Sequence, residues 1–341
     1  MMDKNFWTEK KVLITGHTGF KGSWLANMLN SLHAEVHGLS NTTNPGIYEM
    51  TDSKAIYEKE YFIDIRNFDK SQEKDLIKNN YDIIFHFAAQ SIVSTALENP
   101  IYTLETNILG TFNLLDIFNK IENAKVLSIA TTDKVYKYPD KLNTEDYELG
   151  GKEFYSASKV SKENVINAFS NSLMLENKFI STIRSGNVIG GGDRSKNRLI
   201  PDLVVSVMSE KDIVLRNPNS IRPWQHVLDS LGGYLLAAEY SYKNNKSEVF
   251  NLNSEDNNKF TVKEITNLFL EKTNFNTKIQ ILNEDFFEVD ILTIDSSKAL
   301  NLLNWNSKYN IHQVVELIAE WEIAKNKSEV TNNQVKNYLD I

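Results

Sequence analysis

The sequence predicts a doubly wound parallel α/β sheet followed by a smaller C-terminal lobe. Three observations carry this. Up to residue 186, short apolar runs alternate with stretches at helical spacing. The apolar runs are nearly continuous, as in strands covered on both faces. A glycine-rich turn, "TGHTGFKG", joins the first strand to the first helix.

The elements follow in order. "KKVLIT" reads as the first strand, and "KGSWLANMLNSL" as a helix with Trp24, Leu25, Met28, Leu29 and Leu32 on its apolar side. "AEVHGL" and "EYFIDI" are strands two and three, "QEKDLIKNN" a short helix, and "YDIIFHFAA" strand four. "PIYTLETNILGTFNLLDIFNKI" is one long helix, "AKVLSIA" strand five, "EFYSASKVSKENVINAFSNSLM" a helix, and "FISTIRSG" strand six. Beyond residue 186 the alternation stops. "GNVIGGGDRSKNRLIP" reads as loop, and "EVFNLNS" as a strand returning to the sheet. "TVKEITNLFLEKT" and "IHQVVELIAEWEI" are amphipathic helices, and "AKNKSEVTNNQVKNYLDI" is a polar tail expected to fray. The expected boundaries are a nucleotide-binding unit over 1–186 with a return around 225–252, a substrate-binding lobe from 187–224 and 253–330, and a tail over 331–341.

Bulk properties narrow the function. At 341 residues the chain exceeds one compact core. Apolar content of 41% and charged content of 24% fit a soluble globular protein. A net charge of −8 argues against a nucleic-acid partner, which needs a basic surface. No cysteine is present, and the six histidines are scattered, so no metal site is expected. The start "MMDKNFWTEK" has no apolar signal core. No apolar run reaches the ~18 residues of a membrane span. A cytoplasmic protein without membrane contact is expected. Five of the six arginines fall late: Arg184, Arg194, Arg198, Arg216 and Arg222. They are candidates for a cationic patch that meets a phosphorylated small molecule.

The motifs add chemistry. In "TGHTGFKG", Gly16, Gly19 and Gly22 permit a tight turn and close approach of a pyrophosphate to a helix N-terminus, where free N–H groups favour anions. A plain structural turn is the alternative; the position after the first strand favours a dinucleotide. Thr18, Phe20 and Lys21 then join the glycines as cofactor-binding candidates. The end of strand two, "GLSNTTN", lacks the usual ribose-binding carboxylate, leaving Asn41 or Thr42 for a hydroxyl. It also lacks a basic residue for a 2′-phosphate, so NAD is favoured over NADP. Asp64 either reaches the adenine or caps its strand; Ile65, Ala88, Ala89, Gln90 and Thr106 are further cofactor candidates. "YSASK" sets Tyr155 and Lys159 four apart on one helix face. A lysine there lowers a phenol from its usual ~10 toward use as a base. With 14 tyrosines the spacing also arises by chance, as in Tyr242 and Lys246, read as a solvated stretch. Thr132, ending strand five, sets Tyr155 apart. "TTDKVY" then places Asp133 beside Lys134: a solvated turn, or an acid–base pair.

These residues together resemble the extended short-chain dehydrogenase/reductase family, and within it the sugar-nucleotide 4,6-dehydratases of the CDP-glucose type. The resemblance rests on "VLITGHTGFKGSWL", "FHFAAQ", "TTDKVY", "LGGKEFYSASK", "SGNVIGGGD", "RLIPD" and "RNPNSIRPWQHVLDSLGGYLLAAE", and spans residues 6 to 325. Two departures stand out. Many members carry an arginine soon after "AAQ" where this chain has Ser94, and a His-Glu-Ala run is reduced to "FEV", keeping Glu288. The resemblance implies a Rossmann sheet, NAD, and loss of water from a nucleotide-activated glucose such as CDP-glucose. It implies Tyr155 as base at the 4-hydroxyl, Thr132 bonding that hydroxyl, Asp133 as acid, and Lys134 as base at C5 or as a charged stabiliser. Asn187, Arg198, Arg216, Arg222 and His226 become substrate-binding candidates, with Trp224 and His226 also read as packing around the site. His86 is read either as a nicotinamide neighbour or as a buried structural residue. A homo-oligomer, dimer or tetramer, and a place in deoxysugar and surface-polysaccharide synthesis are expected. A dehydratase for another nucleotide sugar, or a 4-epimerase, is the alternative.

Overall fold

The computed structural model describes residues 2–254, 259–275, 277–281 and 293–341. Among these, seven parallel strands form one sheet in the order β10-β6-β5-β4-β1-β2-β3. They are β1 (Lys11–Thr15), β2 (Glu35–Ser40), β3 (Tyr57–Phe62), β4 (Ile83–His86), β5 (Val126–Ala130), β6 (Phe179–Ser185) and β10 (Glu248–Leu252). Short strands β7 (Val188–Ile189), β8 (Ile213–Leu215), β9 (Gln225–His226) and β11 (Ile279–Ile281) lie outside it. The doubly wound sheet is therefore present. The third strand sits earlier than the sequence pattern suggested: it runs over Tyr57–Phe62, and the Ile63 amide makes a last bond to the Ser40 carbonyl at 2.8 Å.

Alternate side chains along each strand feed opposite faces. Val12, Ile14, Phe85, Val126, Ile183 and Phe250 pack on one face, against helices α1 (Phe20–Ser31) and α6 (Val227–Asn244). Leu13, Leu39, Ile84, Leu127 and Ile180 face the other side, covered by α2 (Lys70–Lys78), α3 and α4 (Phe154–Ser172). Helix α3 is the expected long helix, built from Pro100–Leu104, a π-helical turn at Glu105–Leu109, and Gly110–Lys120. The order in which strands are added reverses between the parallel neighbours β1 and β4, so a crevice opens at the C-terminal edge there.

A third core joins α5 (Leu199–Met208), α7 (Val262–Thr273) and α8 (Ile311–Ile323) through Ile200, Leu203, Ile265, Phe269, Val314 and Ile318. The start of α5 corrects the reading of "RLIP" as loop. One further expectation is corrected. The polar tail is an ordered helix, α9 (Lys327–Leu339), which packs on α1. Val335, Tyr338 and Leu339 supply its buried stripe, and Thr331 Oγ1 accepts from Trp321 Nε1 at 2.9 Å. The stretch from Tyr242 to Lys246 is solvated as read: Lys243 to Ser247 are exposed, while the half-buried Tyr242 rests edge-on against Phe6 at 5.1 Å. Among the described residues, no helix is long and apolar enough to cross a membrane.

Candidate active site

A cleft of about 1020 Å3 runs along the C-terminal edge of the sheet and out between α5 and β8. Its near end is the glycine turn between β1 and α1. Gly16 has φ +76°, and a Cβ there would lie 2.7 Å from the amide nitrogen of Ala88. At Gly22 a Cβ would collide with the Gly16 carbonyl. Both positions hold the backbone close and leave the first-turn N–H groups of α1 facing the cleft. Thr18, Gly19, Phe20, Lys21, Ala88, Ala89 and Thr106 all line this end.

The end of β2 contributes Ser40, Asn41 and Thr42 to the wall. Thr18 Oγ1 donates to the Thr42 carbonyl at 2.7 Å and accepts from Asn44 Nδ2 at 3.1 Å, which fixes that loop. Asp64 and Ile65 line the wall next to it. The Arg66 guanidinium donates to the Asp64 carboxylate at 2.7 Å and holds its pKa below the usual carboxylate range.

The chemical end is built by β5 and α4. Helix α4 begins at a capping box in which the Glu153 carboxylate accepts from the amides of Tyr155 at 2.6 Å and Ser156 at 2.7 Å. That fixes the first turn and aims Tyr155 into the cleft, with Lys159 one turn on and its Nζ 5.7 Å from the phenol ring. Thr132 Oγ1 donates to Asp133 Oδ1 at 3.0 Å and accepts from the Lys134 amide at 3.3 Å. Asp133 is only 3% exposed, and its Oδ2 has no hydrogen-bond partner. Burial pushes its pKa up, against the pull of Lys134, Thr132 and Arg222. "TTDKVY" is thus no solvated turn.

Burial also raises the Tyr155 phenol, opposed by its hydrogen bond to Thr132 and by Arg198. This corrects the expectation that Lys159 lowers it. Lys159 is itself buried and pushed down to about 8, so its charge is weakly held. Lys21 reaches the same region. Burial, with Arg198 and Lys159 as like charges, takes it down to about 7.

Asn187, Arg198, Arg216 and Arg222 line the cleft beyond this cluster. Arg198 Nη2 bonds the Ser91 hydroxyl at 3.3 Å, and Asn197 Nδ2 bonds Ser94 Oγ at 3.0 Å. The loop over 193–198 therefore closes on the segment where many family members carry an arginine. Arg194, also in the wall, is held by Glu322 at 2.7 Å.

Several candidates stand apart from the cleft wall. The Gln90 side chain is turned inward, donating to Thr103 Oγ1 at 2.8 Å and accepting from the Ile92 amide. His226 is fully buried between Trp24 and Tyr309 and caps α6. Desolvation drives it down to about 3, so it packs as a neutral ring. His86 is locked between Thr15 and Thr111 hydroxyls, which is the structural alternative. Arg184 leaves the cationic patch for a buried pair with Glu163 at 2.6 Å. Trp224 lines the cleft while its Nε1 donates to the Phe260 carbonyl. Glu288 lies outside the described residues. Sequence reasoning missed Ser91, Asn197, Asp202 and Ser206 in the wall. Their signal was weak, since short polar residues in loops and on helix faces are common. Among the described residues, no group of three or more His, Asp or Glu is set to hold a metal ion.

Comparison with known proteins matches this picture. A curated CDP-glucose 4,6-dehydratase of Salmonella typhimurium is 36% identical, covering 99% of each chain. A UDP-glucose 4-epimerase of Mycoplasma pneumoniae is 24% identical over 90% of this chain and 95% of its own. Among solved structures, a UDP-glucose 4-epimerase of Stenotrophomonas maltophila with bound NAD and formylated UDP-arabinopyranose superposes with a TM-score of 0.81 at 19% identity, covering 92% and 98% of the two chains. An NAD-dependent NDP-hexosamine 5,6-dehydratase superposes with a TM-score of 0.80 at 20% identity, covering 94% and 99%. These two likenesses concern the fold. The sequence profile described as GDP-mannose 4,6 dehydratase matches residues 13–318, and with that match the chain belongs to the GDP-mannose 4,6 dehydratase family.

Proposed function

We propose that the protein is an NAD-dependent 4,6-dehydratase of a nucleotide-activated hexose, and that CDP-glucose is its substrate. The observation that carries this reading is the buried Asp133, its pKa raised by burial, set beside Lys134, Thr132 and Tyr155 in one cleft. An epimerase needs the tyrosine and threonine but no such acid. The substrate follows from the relative at 36% identity.

The glycine turn fits a dinucleotide, because Gly16 and Gly22 let the turn pack tightly on Ala88 and on itself, which sets the first-turn N–H groups of α1 where a pyrophosphate can approach them. Asn41, Thr42 and Asp64 would hold the adenosine end, and Tyr155 and Lys159 the nicotinamide ribose. NAD+, when bound, supplies the acceptor for the C4 hydride and the donor that returns it at C6.

The residues of this chain do the proton work. Tyr155 takes the proton of the 4-hydroxyl, and Thr132 bonds the same oxygen. Because burial raises the phenol, it needs positive charge nearby to act as a base near neutral pH. The ketone at C4 then acidifies the C5 proton. Lys134 removes that proton, Asp133 protonates the departing 6-hydroxyl, and the C6–O bond breaks to release water. Arg222 and Arg198 meet the diphosphate, with Asn187 and Arg216 further along. The product is a 4-keto-6-deoxy sugar nucleotide, a feedstock for deoxysugars of surface polysaccharide. We place the enzyme in the cytoplasm as a homo-oligomer.

The test is to incubate the protein with CDP-, UDP-, GDP- and dTDP-hexoses and follow loss of one water by mass spectrometry. CDP-glucose should lose water. Substrate deuterated at C4 should give product deuterated at C6. Inversion at C4 with no water lost would refute the reading.

A further inference from the structure

The reaction leaves Lys21 without a task. This residue sits in the first turn of α1 and lines the cleft. Among the described residues its ammonium makes no hydrogen bond and no ion pair; it lies over the ring of Tyr234, 5.3 Å from the centroid. That ring is fully buried, with Phe87 edge-on to it at 5.0 Å, and holds a cation only weakly. The first turn of α1 carries no acidic residue, and the helix dipole opposes a positive charge there. Arg198 and Lys159 act on the same amine as like charges, and Asp133 as an opposite one. The two like charges have other work: Arg198 bonds the Ser91 hydroxyl, and Lys159 stands one turn from Tyr155. Lys21 thus reaches from the glycine turn into the chemical end as a cation with little to hold its charge. Burial takes it down to about 7, so near neutral pH its proton is loosely held.

We propose that Lys21 poises the cofactor: its ammonium disfavours the cationic, oxidised nicotinamide and favours the neutral, reduced one, so that the hydride stays on the enzyme until water has left the sugar. The inference rests on the dehydratase reading, in which Tyr155 and Lys159 hold the nicotinamide ribose. Lys21 acts on Lys159, and the Tyr234 ring beneath it acts on Tyr155, so the amine stands at that same end. In the first step the C4–H bond breaks. Its hydrogen and both electrons pass to NAD+, and the 4-hydroxyl proton passes to Tyr155, so the cofactor ring loses its positive charge. A hydride given back to C4 would only restore the starting sugar. It must wait for water to leave and then go to C6. A positive charge near the ring favours that wait, because it makes the neutral form of the ring the more stable. A loosely held proton suits the task. Lys21 can shed it when the cationic ring binds and regain it when the ring is neutral, so oxidised cofactor is not driven off.

The experiment equilibrates the purified protein with known mixtures of NAD+ and NADH, without sugar. The bound nucleotides are then released by denaturation and separated by chromatography. Wild type, Lys21→Met and Lys21→Arg are compared. Methionine keeps the length and removes the charge; arginine carries a charge that cannot be shed. For unit charges several ångströms apart in a partly buried site, the preference for NADH over NAD+ should fall about tenfold in Lys21→Met. In Lys21→Arg it should rise above that of the wild type. An unchanged preference in Lys21→Met, whether or not less cofactor is bound, would mean a pyrophosphate contact at most and overturn the proposal. So would a Lys21→Arg protein whose preference falls to that of Lys21→Met. Should either variant fail to fold, the other still decides. Failure of the dehydratase reading looks different: no water is lost from any sugar nucleotide. The bound NADH to NAD+ ratio still decides the role of Lys21 in that event.

Discussion

Replacing Asp133 by asparagine should make the protein more stable and nearly inactive at once. The side chain is 3% exposed, Oδ1 is bonded to Thr132, and Oδ2 has no partner. Leaving a buried polar group unpaired costs about 1–3 kcal/mol, and more when it is charged. Asparagine keeps the shape and the Oδ1 bond and removes the charge. Its own N–H2 stays unpaired, which takes back part of the gain, so about 1 kcal/mol remains. For a chain this long that is roughly 2 °C in Tm. The sign with pH is fixed. The folded pKa is raised, so the wild type is penalised above the unfolded carboxyl pKa of ~3.9, and the penalty grows as pH rises through the folded value. Below ~3.9 both states are protonated and the gain from Asp133→Asn vanishes. For catalysis, asparagine cannot protonate the departing 6-hydroxyl, and water loss should fall about 10²–10⁴-fold. Thermal melts at several pH values, with single-turnover mass spectrometry, read both effects. A variant that dehydrates at the wild-type rate, or a melt that drops at neutral pH, would refute the assignment of a buried acid.

Other outcomes follow from the same geometry. Lys134→Met should still let reduced-nicotinamide absorbance appear on adding substrate while water loss slows about 10²–10⁴-fold, whereas Tyr155→Phe should block that absorbance itself. Arg222→Ala should raise KM far more than it lowers kcat, because a diphosphate is equally charged in ground and transition states; an unchanged KM would remove Arg222 from the substrate site. Lys162 is fully buried with its Nζ unpaired, and burial drives its pKa well below the usual lysine value. Lys162→Met should therefore raise Tm, by an amount that shrinks as pH rises toward the unfolded lysine pKa of ~10.4, where the unfolded state no longer binds the extra proton.

How much of this was legible in the sequence depends on the range of the interaction. Strands β1, β2, β4, β5 and β6 were readable because burial on both faces writes a short, mostly apolar run into each. The glycine turn and "YSASK" were readable because their work is done within one turn of chain. The C-terminal helix α9 was not. Its buried stripe is thin, and it is held by Trp321 and by α1, partners that no local window contains. His226 was legible only as two readings, a substrate contact or packing, for the same reason. A histidine two residues from Trp224 in an arginine-rich segment looks available for a ligand. Only the fold shows it enclosed by Trp24 and Tyr309.

The protonation of the site was the least legible part, and it changes how the chemistry is understood. From spacing alone, Lys159 lowers Tyr155, and Asp133 and Lys134 form an ordinary pair. In the fold, one cause dominates all the buried groups: desolvation. It raises Asp133 and Tyr155 and lowers Lys21 and Lys159. Every one of these shifts favours the neutral form. The cleft therefore disfavours charge on its acids and its amines alike. That suits Asp133, which must donate. It does not suit Tyr155, which must accept. The two residues share one buried wall, so burial alone cannot serve both. What distinguishes them is the charge that arrives with the ligands. A cationic cofactor ring at the Tyr155 side would favour the phenolate, while a sugar diphosphate drawn to Arg222 would weaken a cation that opposes protonation of Asp133. The ligands would then complete the division into base and acid.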